Sequence, residues 1–161
     1  MAEKFKKFKK GKIVLFQPEA FSATRHYYGA PMQLLAISRI LAEEKYDIKI
    51  ITPTTSLNTL KEVIKEVNGA ICLAVTSLTG YSIIDGLRIC REVKKKYPKL
   101  PIVWGGWHPS ILPKANAADS SVDIVVTGQG ERTFVELVHA LEKKKNLKNV
   151  LGIAYKDKKG N

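Results

Sequence analysis

The sequence predicts an α/β fold in which a parallel sheet is covered by helices on both faces. Short apolar runs rich in β-branched residues alternate along the chain with amphipathic segments of helical period. The apolar runs lack the apolar–polar alternation of a half-exposed strand, so we expect these strands to be buried on both faces. The chain has 161 residues, of which 45% are hydrophobic, enough for one domain with its own core.

Each predicted element follows from its local pattern. Five strands end at proline, glycine or polar residues: 12–17, 47–51, 70–75, 101–104 and 122–127. The helices that follow them span 31–44, 57–67, 82–96, 111–118 and 133–144. Pro31 suits a first helical turn, and Asn68-Gly69 suits a helix end. Five such units favour a doubly wound, flavodoxin-like (Rossmann-like) five-stranded parallel sheet of order 2-1-3-4-5. Residues 153–156 are predicted to start a hairpin, with 157–160 as its turn.

The charge is unevenly distributed along the chain. The formal net charge is +12, and residues 1–11 are predicted to be a basic, flexible tail in which Phe5 and Phe8 interleave with lysines. Such a tail is either solvated or a weak site for nucleic acid or membrane lipid. No run of 18 apolar residues and no signal-peptide core is present, so we expect a cytoplasmic chain without membrane contact. Cys72 and Cys90 lie in apolar segments and are predicted to be reduced core thiols.

Four of the predicted strand ends carry residues that are unusual for plain connectors. Parallel strands place their carboxyl ends at one edge of the sheet, which is where open α/β sheets bind ligands. Glycines let a flat ligand approach the backbone, and hydroxyls can hydrogen-bond to it. For Thr76–Gly80 and Gly128–Glu131 an ordinary turn into the next helix explains the residues equally well. The four loops are Gln17-Pro18, Thr76–Gly80, Gly105–Pro109 and Gly128–Glu131.

Several chemistries of this fold are absent from the sequence. The first strand is not followed by clustered acids, a flavodoxin-type phosphate loop or G-x-G-x-x-G, and there is no P-loop. No nucleophile has a matched base, and no Cys/His cluster suggests a metal site. His139 is predicted to be a surface residue of the last helix. We therefore predict no catalytic and no metal-ligating residue in this chain.

The motif Thr76-x-Leu78, followed further along by Gly105-Gly106, resembles the S-x-L…G-G signature of cobalamin (vitamin B12) binding domains. In that family the hydroxyl loop and the paired glycines line the groove for the nucleotide tail of the cofactor. The resemblance gives those roles to Thr76, Ser77, Leu78, Gly105 and Gly106. It also implies that a bulky residue at either glycine would abolish binding and leave the fold intact.

The family's cobalt-ligating motif D-x-H-x-x-G is missing. Its places hold Gly29, Pro31 and Leu34, and His26 is near but off register. This departure resembles the B12-binding domains fused to radical S-adenosylmethionine (SAM) enzymes. Further hallmarks of that group are present as Gly29-Ala30-Pro31, Gly105–Pro109, Val126–Glu131 and Val150–Tyr155. Trp107 and His108 either pack beside the corrin ring or form a plain hydrophobic turn.

The resemblance implies that residues 12–150 are a cobalamin-binding domain and that 151–161 begin a hairpin or linker to a missing domain. By the resemblance, that domain would be a radical SAM barrel with S-adenosylmethionine and a [4Fe-4S] cluster. The C-x-x-x-C-x-x-C motif that binds such a cluster is absent from this chain. The whole enzyme would be methyltransferase-like, and this chain would bind cobalamin base-off and His-off without catalysis. The implied cofactor-binding residues are Gln17, Tyr28, Gly29, Pro31, Thr76, Ser77, Leu78, Thr79, Gly105, Gly106, Trp107, His108, Gly128, Gln129, Gly130 and Glu131.

Two other functions stay open from the residues alone. One is the nucleotide-sugar-binding half of a glycosyltransferase, which also uses glycine-rich strand ends. The other is a basic domain that interacts with nucleic acid, although we do not expect nucleic acid among the partners. The second predicts salt-sensitive binding that is lost with residues 1–11.

Overall fold

The computed structural model describes residues 10–20, 30–53 and 58–156. These residues form one six-stranded sheet of order β2-β1-β3-β4-β5-β6. The strands are β1 (Lys12–Phe16), β2 (Asp47–Ile51), β3 (Ala70–Thr76), β4 (Ile102–Gly105), β5 (Ile124–Val126) and β6 (Ile153–Tyr155). The helices are α1 (Met32–Glu43), α2 (Thr59–Glu66), α3 (Tyr81–Lys96), α4 (Trp107–Ile111), α5 (Pro113–Ala118) and α6 (Gly130–Glu142), and a 3₁₀ turn covers Leu147–Asn149.

The predicted flavodoxin-like order 2-1-3-4-5 is confirmed for the parallel part of the sheet, but the prediction of five strands is wrong. β6 adds an antiparallel edge strand beside β5, with Val126 opposite Ile153 and Ile124 opposite Tyr155. The chain returns to the end of β5 after α6, where the Thr127 amide donates to the Gly152 carbonyl at 2.9 Å. From there Ile153–Tyr155 runs back along β5. The predicted turn at 157–160 lies outside the described residues.

The central strands β1, β3, β4 and β5 are mostly buried, as their unbroken apolar sequences predict, whereas β2 and β6 are largely only partly buried. Alternate residues enter two separate cores, because successive strand side chains point to opposite faces. One core packs against α2 and α3 and contains Phe16, Val75 and Trp104. The other packs against α1 and α6 and includes Ala74 and Val103.

Both cysteines lie in these cores and are free thiols, as predicted. Burial raises the pKa of the Cys72 and Cys90 thiols to about 12. A thiol with such a pKa is almost entirely protonated near neutral pH, so neither side chain is a nucleophile or a ready metal ligand.

The helix boundaries differ from the predicted ones mainly next to the glycine-containing loops. α4 begins at Trp107, directly after the Gly105-Gly106 pair, and α6 begins at Gly130 rather than at residue 133. The predicted helix 111–118 is divided into α4 and α5 at Leu112. These starts place helical turns, rather than long loops, beside the carboxyl ends of β4 and β5.

Candidate functional site

A cavity of about 860 Å³ opens at the carboxyl edge of the parallel strands, between α1 and α6. Its volume falls within the range of small-molecule sites, which are concave and mostly apolar. The ends of β1, β3, β4 and β5 form its floor, and the first turns of α1 and α6 form its walls. The lining residues are Gln17, Pro18, Ala20, Gln33, Leu34, Ile37, Ala74, Val75, Thr76, Leu78, Ser82, Val103, Gly105, Gly106, Trp107, Ser110, Ile111, Val126, Gly128, Gln129, Gly130, Glu131 and Phe134.

Small residues at the strand ends leave open space above the floor of the cavity. Gly105 lies opposite Thr76 in the β3–β4 register, and Ala74 lies two residues before Thr76. A Cβ atom built on Gly105 would meet only Val126, at 3.9 Å. A larger side chain at Gly105 would therefore extend into open space inside the cavity.

The neighbouring Gly106 has a different role, which concerns the backbone. Its φ of +103° is one that L side chains rarely adopt, and a Cβ atom there would lie 2.9 Å from the carbonyl oxygen of Ser77. Any substitution would strain the backbone and push the β3 loop and the β4 loop apart. The expectation that a bulky residue at Gly106 would leave the fold intact is therefore wrong, whereas nothing at Gly105 contradicts it.

Thr76 presents a polar group to the cavity. Its side chain is partly buried, and within the described part of the chain its hydroxyl has no hydrogen-bond partner. Leu78, two residues later, is 51% exposed at the mouth of the cavity. A hydroxyl without a protein partner beside an apolar cavity is available to a bound ligand.

Most of the sequence-predicted site residues line this cavity, and Ser77, Thr79 and His108 form hydrogen bonds within the loops beside it. The Ser77 side chain is buried and lies 3.4 Å from the Ser82 hydroxyl, while the Ser77 carbonyl accepts from the His108 amide. The Thr79 hydroxyl lies 3.1 Å from Nδ1 of His108. Ser77, Thr79 and His108 are not among the lining residues of the cavity, and Pro31 also lies outside its lining. Tyr28 and Gly29 lie outside the described residues.

Sequence reasoning missed the residues that the helices contribute to the cavity. Gln33, Leu34 and Ile37 come from α1, and Phe134 comes from α6. The Gln33 side-chain amide donates to Oε1 of Gln17 at 2.8 Å, which links the start of α1 to the end of β1. Their position in the chain could have indicated them, because a helix that follows a parallel strand begins near the carboxyl edge of the sheet, where the cavity lies.

The two described histidines lie away from the cavity. His108 lines a separate cleft of about 240 Å³ with Asp119 and residues of α3 and α5. His139 lies on α6 with a partly exposed side chain, and its Nε2 atom is 2.7 Å from Oε2 of Glu44. Among the described residues, no group of three or more His, Cys, Asp or Glu could hold a metal ion.

Large apolar side chains are exposed at the carboxyl edge of the sheet, and lysines are exposed at the opposite edge. These lysines lie in or directly after the last turns of α3 and α6 and include Lys95, Lys96 and Lys143–Lys145. The exposed large apolar side chains lie in or beside the elements at the carboxyl edge, and we call them the apolar rim. The rim consists of Met32, Leu35, Leu78, Tyr81, Ile84, Trp107, Ile111, Leu112 and Leu151. No helix within the described ranges is long and apolar enough to span a membrane.

A doubly wound sheet with a mostly apolar cavity at the carboxyl ends of its strands defines a ligand-binding domain of the flavodoxin-like class. The family model of the B12 binding domain matches residues 18–138, which is most of the chain. The chain belongs to the family of B12-binding domains.

The chain is similar in sequence or in fold to several larger proteins. An uncharacterized methyltransferase from Pyrococcus horikoshii is 31% identical over 152 residues, which cover 91% of this chain and 33% of that protein. The solved radical S-adenosylmethionine methyltransferase TsrM from Kitasatospora setae, with cobalamin and a [4Fe-4S] cluster bound, has a TM-score of 0.77 at 20% identity. The match covers 93% of this chain and 28% of TsrM.

A second solved structure has the same fold. The cobalamin-dependent S-adenosylmethionine radical enzyme OxsB, with aqua-cobalamin and S-adenosylmethionine bound, has a TM-score of 0.77 at 17% identity. That match covers 96% of this chain and 22% of OxsB. The chain therefore spans about a third or less of the length of these proteins.

Proposed function

We propose that this chain binds cobalamin in its base-off, His-off form at the cavity and serves as the cofactor module of a radical SAM methyltransferase-like enzyme. The observation that carries the proposal is the pairing of open space above Gly105 with the unpartnered Thr76 hydroxyl, at the motif positions of a B12-binding domain. When bound, cobalamin supplies a cobalt centre that can carry a methyl group.

The residues of the cavity fit the nucleotide tail of cobalamin, which ends in a flat aromatic base. Leu34 and Ile37 on α1 and Phe134 on α6 provide apolar walls for that base. Gly105 leaves room for it on the floor, and the Thr76 hydroxyl can donate to it or accept from it. The protein thus provides an apolar shape with a few polar groups, which is the usual composition of a small-molecule site.

The His-off form is supported by the residues beside the cavity. No histidine is among its described lining residues, and His108 and His139 have partners elsewhere. Pro31, which occupies the histidine's place in the family's motif, has no side-chain atom that could ligate cobalt. His26 lies outside the described residues and is the one alternative ligand that the sequence raised.

The apolar rim supports a second domain as the partner of this module. Exposed apolar patches mark interaction sites, and three residues of the rim, Leu78, Trp107 and Ile111, also line the cavity. The named relatives include radical SAM enzymes several times longer than this chain. We infer that a radical SAM domain, with S-adenosylmethionine and a [4Fe-4S] cluster, covers the rim in the complete enzyme. This chain alone then binds cofactor and has no catalysis.

The test is a visible-absorption titration of the purified chain with hydroxocobalamin, followed by desalting. We expect retained colour and a base-off spectrum. After reduction to cobalt(II), the electron paramagnetic resonance spectrum should lack the superhyperfine splitting that an axial nitrogen ligand causes. A protein that elutes colourless would refute binding by this chain, and a split spectrum that collapses in His26→Ala would refute the His-off form.

A further inference from the structure

Ser110, a residue of α4, joins two loops at the mouth of the cavity. Its hydroxyl donates to the carbonyl oxygen of Gly106 at 2.7 Å and accepts from the amide of Gly128 at 3.0 Å. Its own amide also donates to the Gly106 carbonyl, at 3.2 Å. Gly106 belongs to the loop after β4 and Gly128 to the loop after β5, and both line the cavity.

The backbone ladder between β4 and β5 does not reach these loops. The register of these strands ends at Trp104 opposite Val125. On the other side of β4, the ladder with β3 continues to Thr76 opposite Gly105, and the Ser77 amide then donates to the Gly105 carbonyl. The β3 and β4 loops are therefore held together by backbone bonds. Within the described residues, the bond between Ser110 and Gly128 is the direct hydrogen bond that holds the β5 loop to the β4 loop.

We propose that Ser110 is a positioning residue that holds the β4 and β5 loops at the spacing required by the bound cofactor. A hydroxyl is suited to this position because it donates and accepts at the same time. The proposal rests on cobalamin as the ligand of the cavity. Ser110 acts through Gly106 and Gly128, whose backbone forms part of the wall, and needs no contact of its own with the ligand.

The effect of removing the hydroxyl follows from its two bonds. In Ser110→Ala the Gly128 amide loses its acceptor, and the two loops lose the direct bond between them. Ser110 is only partly buried, so water replaces part of the lost bond. The affinity for cobalamin should fall about fivefold to tenfold, the effect of one neutral hydrogen bond. Ser110→Thr keeps the hydroxyl and should recover most of the affinity.

The first measurement is made without ligand, by amide hydrogen exchange of the full chain in NMR. The exchange of the Gly128 amide should become at least about fivefold faster in Ser110→Ala, and it should stay near the wild-type rate in Ser110→Thr. Ser120→Ala is the matched control, since Ser120 is exposed and lies outside the cavity lining. Unchanged exchange at Gly128 in Ser110→Ala would overturn the proposal.

The second measurement is the dissociation constant of hydroxocobalamin for the same variants. Faster exchange together with an unchanged dissociation constant in Ser110→Ala would overturn the positioning role. A wild-type chain that binds no cobalamin would instead overturn the proposed function. The exchange result would still decide whether Ser110 holds the two loops together, so the two failures are distinguishable.

Discussion

Replacement of Gly105 by leucine should weaken cobalamin binding by nearly a hundredfold and leave the domain folded. The new Cβ atom meets only Val126, at an ordinary contact distance of 3.9 Å, and the rest of the side chain extends into the cavity. The side chain then occupies the place of the nucleotide base. Excluding about 100 Å² of apolar ligand surface at about 25 cal/mol per Å² removes about 2.5 kcal/mol, or nearly a hundredfold in affinity.

The folded state should tolerate this change. Gly105 does not have a positive φ angle, and it ends a strand, where glycine is a weak residue. Leucine should therefore alter the free energy of unfolding by no more than about 1 kcal/mol. The assay combines a cobalamin titration by visible absorption with urea unfolding followed by circular dichroism. Ala36→Leu is the matched control, because Ala36 is exposed on α1 outside the cavity lining. Wild-type affinity in Gly105→Leu would refute this placement of the ligand.

Three further predictions separate binding from stability. Thr76→Val should weaken cobalamin binding about fivefold without destabilising the fold, and Thr76→Ser should restore it, as titration of the three proteins would reveal. Gly106→Ala should lower the free energy of unfolding by about 1–3 kcal/mol, because φ is +103° there; an unchanged urea midpoint would contradict this. Hydrogen bonds from Lys10 and His139 lower the pKa of Glu44 below its usual 4.5. The stabilisation from Glu44 is therefore complete above pH 4.5 and is lost as the pH falls through the lowered pKa. Glu44→Gln should cost about 0.5–1 kcal/mol at pH 7, and the cost should shrink as the pH falls through the lowered pKa, which unfolding measured across the acid range would test.

The parallel part of the fold could be predicted because two independent sequence signals indicate each strand. Unbroken apolar runs indicate burial on both faces, and the intervening helical periods require parallel crossovers. β6 gives neither signal, since Ile153–Tyr155 is short and its three residues are only partly buried. Its place depends on the contact between Thr127 and Gly152, which is distant in sequence and invisible to local patterns.

The candidate site was predictable where the strand ends form it and not where the helices form it. Loop residues such as Thr76 and Gly128 stand out because they depart from plain connectors. Leu34 and Phe134 do not, because an apolar residue that lines a cavity has the same periodicity as one that packs in a core. His108 shows the opposite error, since an unusual residue beside the glycine pair forms a hydrogen bond to Thr79 instead of lining the cavity.

The Gly105-Gly106 pair combines two physical requirements that one sequence motif cannot separate. Gly105 is needed for the space beyond its missing side chain, a requirement of the ligand. Gly106 is needed for its backbone angle and because a Cβ atom there would lie only 2.9 Å from the carbonyl oxygen of Ser77, which are requirements of the fold. Loss of binding in a Gly106 variant therefore says little about cobalamin, whereas the same loss in Gly105→Leu with an intact fold locates the ligand. Mutagenesis of this motif is informative at its first glycine only.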